Sequence, residues 1–289
     1  MTRAWRKLGI VAGGGDLPLS LAKACEADGT PFAVLRLAGF ADESTAAYRG
    51  LDAGIGEVGK IVRLLKGEGC DALVMAGNVA RPNFAAVKSD WRGAALLPKV
   101  VAAARRGDDA LLTVLVEAFE AEGFTVVGAD EVAGGLIVEA GPLGAHAPTA
   151  CDWTDIVKAA AVVEALGPFD VGQGAVVRNG LVLAVEAAEG TDAMLARCAA
   201  LPAALNGREP GDAEGGRGVL VKRPKPGQEL RVDLPTIGVA TVRGAAEAGL
   251  AGVAVAAGAA LVMNRPAVIA AANEAGLFVY GYEPGELAS

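Results

Sequence analysis

The residues best suited to chemistry crowd the stretch Gly218 to Gly238, GVLVKRPKPGQELRVDLPTIG. Lys222, Arg223 and Lys225 follow the apolar run Val219-Leu220-Val221, with Arg217 and Arg231 behind them, in a chain of net charge −8 and pI about 4.9. The run reads as a buried strand, and Pro224 and Pro226 forbid further pairing, which gathers the cations on a loop at a strand end. Such a local reversal of sign suits an anion. Asp233 stands a few residues on, between Val232 and Leu234-Pro235. A carboxylate beside clustered cations is the set used in metal-assisted phosphate chemistry: the acid holds a cation or a water while Lys and Arg neutralise phosphate oxygens. By residue type alone, a solvated basic loop with a helix-capping Asp fits equally well.

Elements that would position these residues can be read in order. LGIVAGGGDLPLSLAKACEADG, from Leu8, reads as strand, glycine turn and helix, and PFAVLRLAG as a second strand, a βαβ unit. Gly13, Gly14 and Gly15 let a ligand approach the backbone, and the helix start with Asp16 offers N–H groups to an anion. The dinucleotide fingerprint is incomplete: Pro18 takes the third glycine position, and the second strand ends near Arg36 where an acid is expected. The strand CDALVMAG delivers Gly77, Asn78 and Arg81 to the same sheet edge. Helices are expected from Trp91 to Glu122 with a break at Gly107-Asp108-Asp109, and Leu111, Leu112, Leu115, Val116 and Phe119 form a core stripe.

The Gly/Pro-rich connector from Gly134 to Thr149 marks a domain boundary: residues 1–140, a linker at 141–149 and a second domain at 150–289. Beyond it, Asn179-Gly180 between two apolar runs signals a hairpin. Thr191 or Asp192 can cap the helix through Cys198, and Glu186 is an acid at a strand end. Residues 205–216 read as a lid-like loop. The fold class is α/β: a Rossmann-like N-terminal domain, a second α/β domain with a mixed sheet, and a site expected in the inter-domain cleft.

Composition narrows the classes. Cys25, Cys70, Cys151 and Cys198 are too scattered for a zinc or redox motif and point to a reducing compartment, the cytoplasm. His146, the one histidine, lies in the connector, which removes support for a Ser-His-Asp triad or a His-rich two-metal centre. No export signal or membrane span is read. Acidity and 4% aromatic content argue against nucleic acid as a partner.

In the segments LGIVAGGGDLP, AGNVARP, QGAVVRNGLVLAVEAAEGTDAM, GVLVKRPKPGQELRVDLPTIG and GLAGVAV, in collinear order across both halves, the chain resembles the LpxI family. These are magnesium-dependent UDP-2,3-diacylglucosamine pyrophosphatases of lipid A synthesis. The resemblance implies hydrolysis to UMP and 2,3-diacylglucosamine 1-phosphate, with water attacking the sugar-side phosphorus, at the cytoplasmic face of the inner membrane. Under it, Asp233, Lys222 and Lys225 are the catalytic candidates, and Asp233 and Glu186 the Mg²⁺ ligands. Substrate contacts fall to Gly13, Gly14, Gly15, Asp16, Gly77, Asn78, Arg81, Gln173, Gly174, Thr191 and Asp192. The oligomeric state stays open. Two other classes share the glycine turn: a non-catalytic nucleotide-sugar binding protein and a Rossmann-type oxidoreductase.

Overall fold

The computed structural model describes residues 4–48, 50–202, 205 and 216–288, so most of the loop expected as a lid lies outside the described residues. Two compact units form: Met1–Gly135 with Glu229–Asp233, and Leu136–Gln228 with Leu234–Ser289. The segment that carries Asp233 therefore groups with the first unit and not with the half in which it lies in sequence.

In the first unit, β1 (Leu8–Ala12), β2 (Phe32–Leu37), β3 (Gly50–Ala53), β4 (Ala72–Ala76) and β5 (Thr125–Val126) form an all-parallel sheet in the order β3-β2-β1-β4-β5. That is the Rossmann order, with its switch point between β1 and β4. All five residues of β1 are buried, as expected of a central parallel strand covered on both faces. Helices α1 (Leu17–Ala27), α2 (Val58–Gly67), α3 (Trp91–Ala104), α4 (Asp108–Ala121) and the short α5 (Ala129–Val132) connect the strands. The expected break between α3 and α4 is present, with Gly107 at φ +141°. The expected core stripe on α4 is narrower than its spacing suggests: only Val116 and Phe119 are buried, and Leu111, Leu112 and Leu115 are half-buried.

The second unit is built on a six-stranded mixed sheet, β6-β13-β11-β9-β7-β8. Its strands are β6 (Gly141–Pro142), β7 (Gly174–Arg178), β8 (Leu181–Val185), β9 (Val219–Lys222), β11 (Gly252–Ala256) and β13 (Phe278–Tyr282). β9, β11 and β13 run parallel, while β7 is antiparallel to β9 and to β8. A separate parallel pair joins β10 (Thr236–Ile237) to β12 (Leu261–Val262). Residues 141–149, read from sequence as a linker, contribute β6, which pairs antiparallel with β13.

Strict alternation along the strands sorts two cores. Val176, Ala184 and Leu220 pack with α7 (Gly190–Ala199), α8 (Val239–Glu247) and α9 (Arg265–Ala275) through Met194, Leu195, Val242 and Val268. Ala175, Val177, Val219 and Val221 point the other way, onto Ile156, Ala159 and Val163 of α6 (Ala150–Leu166).

The Asn179-Gly180 hairpin forms as read, with φ +46° and +73°. Its turn is held by Asp155 of α6, 1% exposed, whose carboxylate accepts from the N–H groups of Asn179 (2.9 Å) and Gly180 (2.8 Å). Asp155→Ala removes both acceptors and is expected to cost about 2–4 kcal/mol, in the range for breaking a buried charged network. Urea unfolding reads it as a lower midpoint, and an unchanged midpoint would contradict it.

Candidate functional site

The same alternation that buries Leu220 carries Lys222 to the α7/α8 face of the sheet, at the carboxyl end of its parallel strands. Lys222 is thus not a loop cation. It is the last residue of β9 and 5% exposed. Pairing persists because the Arg223 N–H still donates to the Gln173 carbonyl (3.0 Å), and it stops only at Pro224.

Across the sheet Lys222 pairs with Gly174, and the Glu186 N–H donates to the Gly174 carbonyl at 2.8 Å. Lys222, Gly174 and Glu186 therefore form one cross-strand row. Gly174 makes room for the Glu186 carboxylate in the middle of that row: a Cβ there would lie 2.7 Å from Glu186 Oε2. Thr191, in the first turn of α7, spans the gap. Lys222 Nζ donates to Thr191 Oγ1 (2.7 Å) and to the Thr236 carbonyl (3.2 Å), and Thr191 Oγ1 donates to Glu186 Oε1 (2.7 Å). Glu186 is 7% exposed, and its Oε2 is buried with no hydrogen-bond partner among the described residues. A buried acceptor left unpaired costs about 1–3 kcal/mol. Such an atom marks a place where a proton, a cation or a ligand donor is accommodated.

Thr191 does not cap its helix: Glu189 takes the N-cap position, which puts Thr191 at the second helical residue and leaves its hydroxyl for the Lys222–Glu186 relay. Asp192, next along, is exposed in the first turn, where an acid complements the helix dipole. Thr191→Val keeps the volume but strips both buried charges of their shared partner. We expect kcat to fall at least tenfold with KM and fold little changed, and Thr191→Ser to recover activity to within about threefold. Equal losses in the two variants would contradict this role.

The remaining cations of the stretch are matched by acids, most of them distant in sequence, so the local reversal of sign is largely compensated. Lys225 pairs with Asp170, Arg223 with Glu164 (3.1 Å), and Arg231 with Glu229 (2.7 Å) and Glu120 (2.6 Å). Hydrogen bonds donated first to Glu229 and then to Glu120 hold the Arg231 guanidinium above its ordinary pKa, and Arg231 in turn holds the Glu229 carboxyl below its own. Lys225 also fixes its loop: its N–H donates to Gln228 Oε1 (2.7 Å), and Gln228 Nε2 reaches Gln173 Oε1 (3.3 Å). Gln173 is thereby tied to the segment after β9.

Within the first unit, the Asp233 N–H donates to the Glu229 carbonyl (3.2 Å), and Val232 packs on the core beneath the parallel sheet. The Glu229 N–H donates to Asp109 Oδ1 (2.7 Å). Asp233 itself is half-buried.

Gly13–Asp16, after β1, and Gly77-Asn78, after β4, flank the switch point of the parallel sheet. Gly14 and Asn78 exchange backbone hydrogen bonds at 2.9 and 2.8 Å, and Gly77 at φ +90° lies so close to Gly13 and Gly14 that a Cβ would collide. The N–H groups of the glycine turn have protein acceptors: Gly13 gives to Ala76 O (2.8 Å), Gly14 to Asn78 O and Gly15 to Asp42 Oδ2 (2.5 Å). The close approach these glycines permit is met by chain, whereas Gly15 and Asp16 are exposed. Asp16 N-caps α1 without a side-chain cap bond. Arg81 lies at the α3–α4 corner, bonded to the Ala104 carbonyl and 3.4 Å from Asp108. Arg36 is matched by Asp52 through two 2.8 Å bonds.

Reading by sequence missed Asp42, Asp170, Thr236 and Gln228 as supports. Each bonds a residue far along the chain or acts through its backbone, so no local pattern reveals it. Among the described residues no three His, Cys, Asp or Glu side chains gather as an all-protein metal cage would need. Mg²⁺ seldom uses one: it is commonly held by one or two carboxylates, waters and substrate phosphates. The unpartnered Oε2 of Glu186 fits that kind of holding.

A Rossmann-ordered unit joined to a mixed-sheet unit bearing a buried lysine–threonine–glutamate row defines an α/β protein with the parts for anion chemistry. A model described as the LpxI N-terminal domain matches residues 7–136, and one described as the LpxI C-terminal domain matches residues 139–280. The chain belongs to the LpxI family. It is 56% identical over 281 residues, 97% of this chain and 99% of the other, to the UDP-2,3-diacylglucosamine pyrophosphatase LpxI of Caulobacter vibrioides, a hydrolase. A solved structure, N5-carboxyaminoimidazole synthase from Aspergillus clavatus with ADP and 5-aminoimidazole ribonucleotide, is 13% identical over 64% of this chain and 41% of its own, with a TM-score of 0.24.

Proposed function

We propose that this protein hydrolyses the pyrophosphate bond of UDP-2,3-diacylglucosamine in lipid A biosynthesis. Water adds to the sugar-side phosphorus, the bridging P–O bond breaks, and UMP leaves with the bridging oxygen, giving 2,3-diacylglucosamine 1-phosphate. The observation that carries this reading is 56% identity along nearly the whole length of a relative with that activity. The buried Lys222–Thr191–Glu186 row supports it chemically, since a pyrophosphate diester brings two negative charges that an ammonium and a cation offset.

In this reading Asp233 positions the attacking water or a metal, Lys222 neutralises charge on the phosphates, and Glu186 is a further ligand for Mg²⁺. When bound, that ion would polarise the phosphoryl oxygens and supply an activated water. Lys225 acts by holding its loop to Asp170. The glycine turn with Asp16, Gly77 and Asn78 receives the UDP portion, as the switch-point rule for parallel sheets expects. The protein works in the cytoplasm, peripheral to the inner membrane.

Incubating the protein with UDP-2,3-diacylglucosamine, with Mg²⁺ and with EDTA, tests the reading. UMP is expected with Mg²⁺ and not with EDTA. Failure to release UMP under any condition overturns the activity, and full activity in EDTA overturns the metal.

Gly14→Val tests the nucleotide end. A Cβ at Gly14 meets the Phe40 carbonyl at 3.0 Å, so the chain after β2 must give by a few tenths of an ångström. The dissociation constant for UMP is expected to rise tenfold or more while the melting temperature falls only a few degrees. Unchanged UMP binding would contradict it.

A further inference from the structure

Helix α3 carries a surface that catalysis does not explain. Its buried side is conventional: Gly93, Ala103 and Ala104 are covered, and Leu96, Leu97, Val100 and Val101 are half-buried. On the opposite side, at helical spacing, lie Trp91, Ala94, Ala95, Pro98 and Ala102, flanked by Lys99, Arg105 and Arg106, all exposed. Trp91 is 74% exposed, a large apolar area to leave in water.

The charge on this face is one-sided. From Asn78 to Arg106 the chain places Arg81, Lys88, Arg92, Lys99, Arg105 and Arg106 against the single acid Asp90, in a protein of net charge −8. Asp90 is committed to the helix start, accepting from the N–H groups of Gly93 (2.9 Å) and Lys60 (2.8 Å). The next acid, Asp108, lies 3.4 Å from Arg81. Among the described residues Lys99, Arg105 and Arg106 make no ion pair, while Arg92 is held by Glu122 at 2.6 Å with its guanidinium 5.1 Å from the Trp91 ring.

An exposed tryptophan on a strip of small apolar residues, edged by uncompensated cations and containing no acid, is the chemistry of a helix that lies in the interface of an anionic bilayer. We propose that the exposed face of α3, with Arg105 and Arg106 just beyond its end, docks this protein on anionic phospholipid. Trp91 enters the headgroup layer while Lys99, Arg105 and Arg106 meet lipid phosphates. This deepens the membrane contact proposed above by giving it a surface, and it places that surface after β4, the strand whose carboxyl end carries Gly77 and Asn78.

The test is flotation of the full-length protein with phosphatidylcholine vesicles, with and without one-third phosphatidylglycerol, without substrate, so that it stands apart from the catalytic reading. The protein is expected to float with the anionic vesicles only, and less as salt rises. The triple variant K99Q/R105Q/R106Q is expected to lower partition about a hundredfold, from roughly fivefold per cation near an anionic surface. Emission from Trp91, isolated as the difference between wild type and Trp91→Phe, is expected to shift to the blue on binding. With diacyl substrate in detergent micelles the triple variant should match wild type, and with substrate in anionic vesicles it should be slower. Equal flotation with neutral and anionic vesicles, or wild-type partition by the triple variant, overturns the proposal. So does a self-association abolished by Trp91→Ala without vesicle binding, which would make the face a contact between two copies of the chain.

Discussion

Asp233→Ala is expected to abolish turnover while leaving the fold and substrate binding largely intact. The segment that carries Asp233 is held by its neighbours: Val232 packs on the core, Arg231 pairs with Glu229 and Glu120, and the Glu229 N–H is bonded to Asp109. Truncating the half-buried Asp233 side chain therefore removes a charged group without opening a large cavity. In the proposed reaction that charge positions water or metal, so the loss falls on kcat. A residual rate within tenfold of wild type, a barrier change of only about 1.4 kcal/mol, would remove Asp233 from the mechanism. Binding of UMP measured on the same variant separates lost chemistry from lost fold.

The second large effect is expected at Lys222. Lys222→Met keeps the length and apolar stem and deletes the ammonium, leaving Thr191 and Glu186 without their cation. Loss of a preorganised charge aimed at a developing anion costs roughly a hundred- to a thousandfold in kcat, about 2.7–4 kcal/mol. Some stability is expected to be lost as well, because removing one member of the set leaves the Glu186 carboxylate buried without its cation, so kcat is compared at a temperature where the variant remains folded. Arginine is not expected to restore activity: its planar guanidinium does not reproduce a point charge shared by Thr191 and the Thr236 carbonyl. A Lys222→Met enzyme with near wild-type kcat would move the site elsewhere.

What the sequence made legible follows from how local each signal is. The glycine turn, the α3–α4 break and the Asn179-Gly180 hairpin were readable because φ preference and hydrophobic period are written in adjacent residues. Lys222, Glu186 and Thr191 were picked out as candidates, but their arrangement depends on sheet register. The alternation from Leu220 to Lys222, Val176 to Gly174 and Ala184 to Glu186 puts all three strand ends on one face, and only the pairing of β9 with β7 and of β7 with β8 aligns them. The charge reversal from Lys222 to Arg231 is stronger in sequence than in structure because Glu164, Asp170 and Glu120, which answer Arg223, Lys225 and Arg231, lie more than 50 residues upstream. The return of Glu229–Asp233 to the first unit has no sequence signal of its own: residues 229–233 pack there through contacts with Asp109 and Glu120 more than 100 positions away.

The central claim is that this chain cleaves a nucleotide-sugar pyrophosphate by adding water at the sugar-side phosphorus, with Asp233 indispensable. Turnover of UDP-2,3-diacylglucosamine in ¹⁸O-enriched water, followed by mass analysis of both products, tests it directly. The account predicts one ¹⁸O in 2,3-diacylglucosamine 1-phosphate, unlabelled UMP, and neither product from Asp233→Ala. Label in UMP would contradict the site of attack, and unaltered substrate with the wild-type protein would contradict the activity.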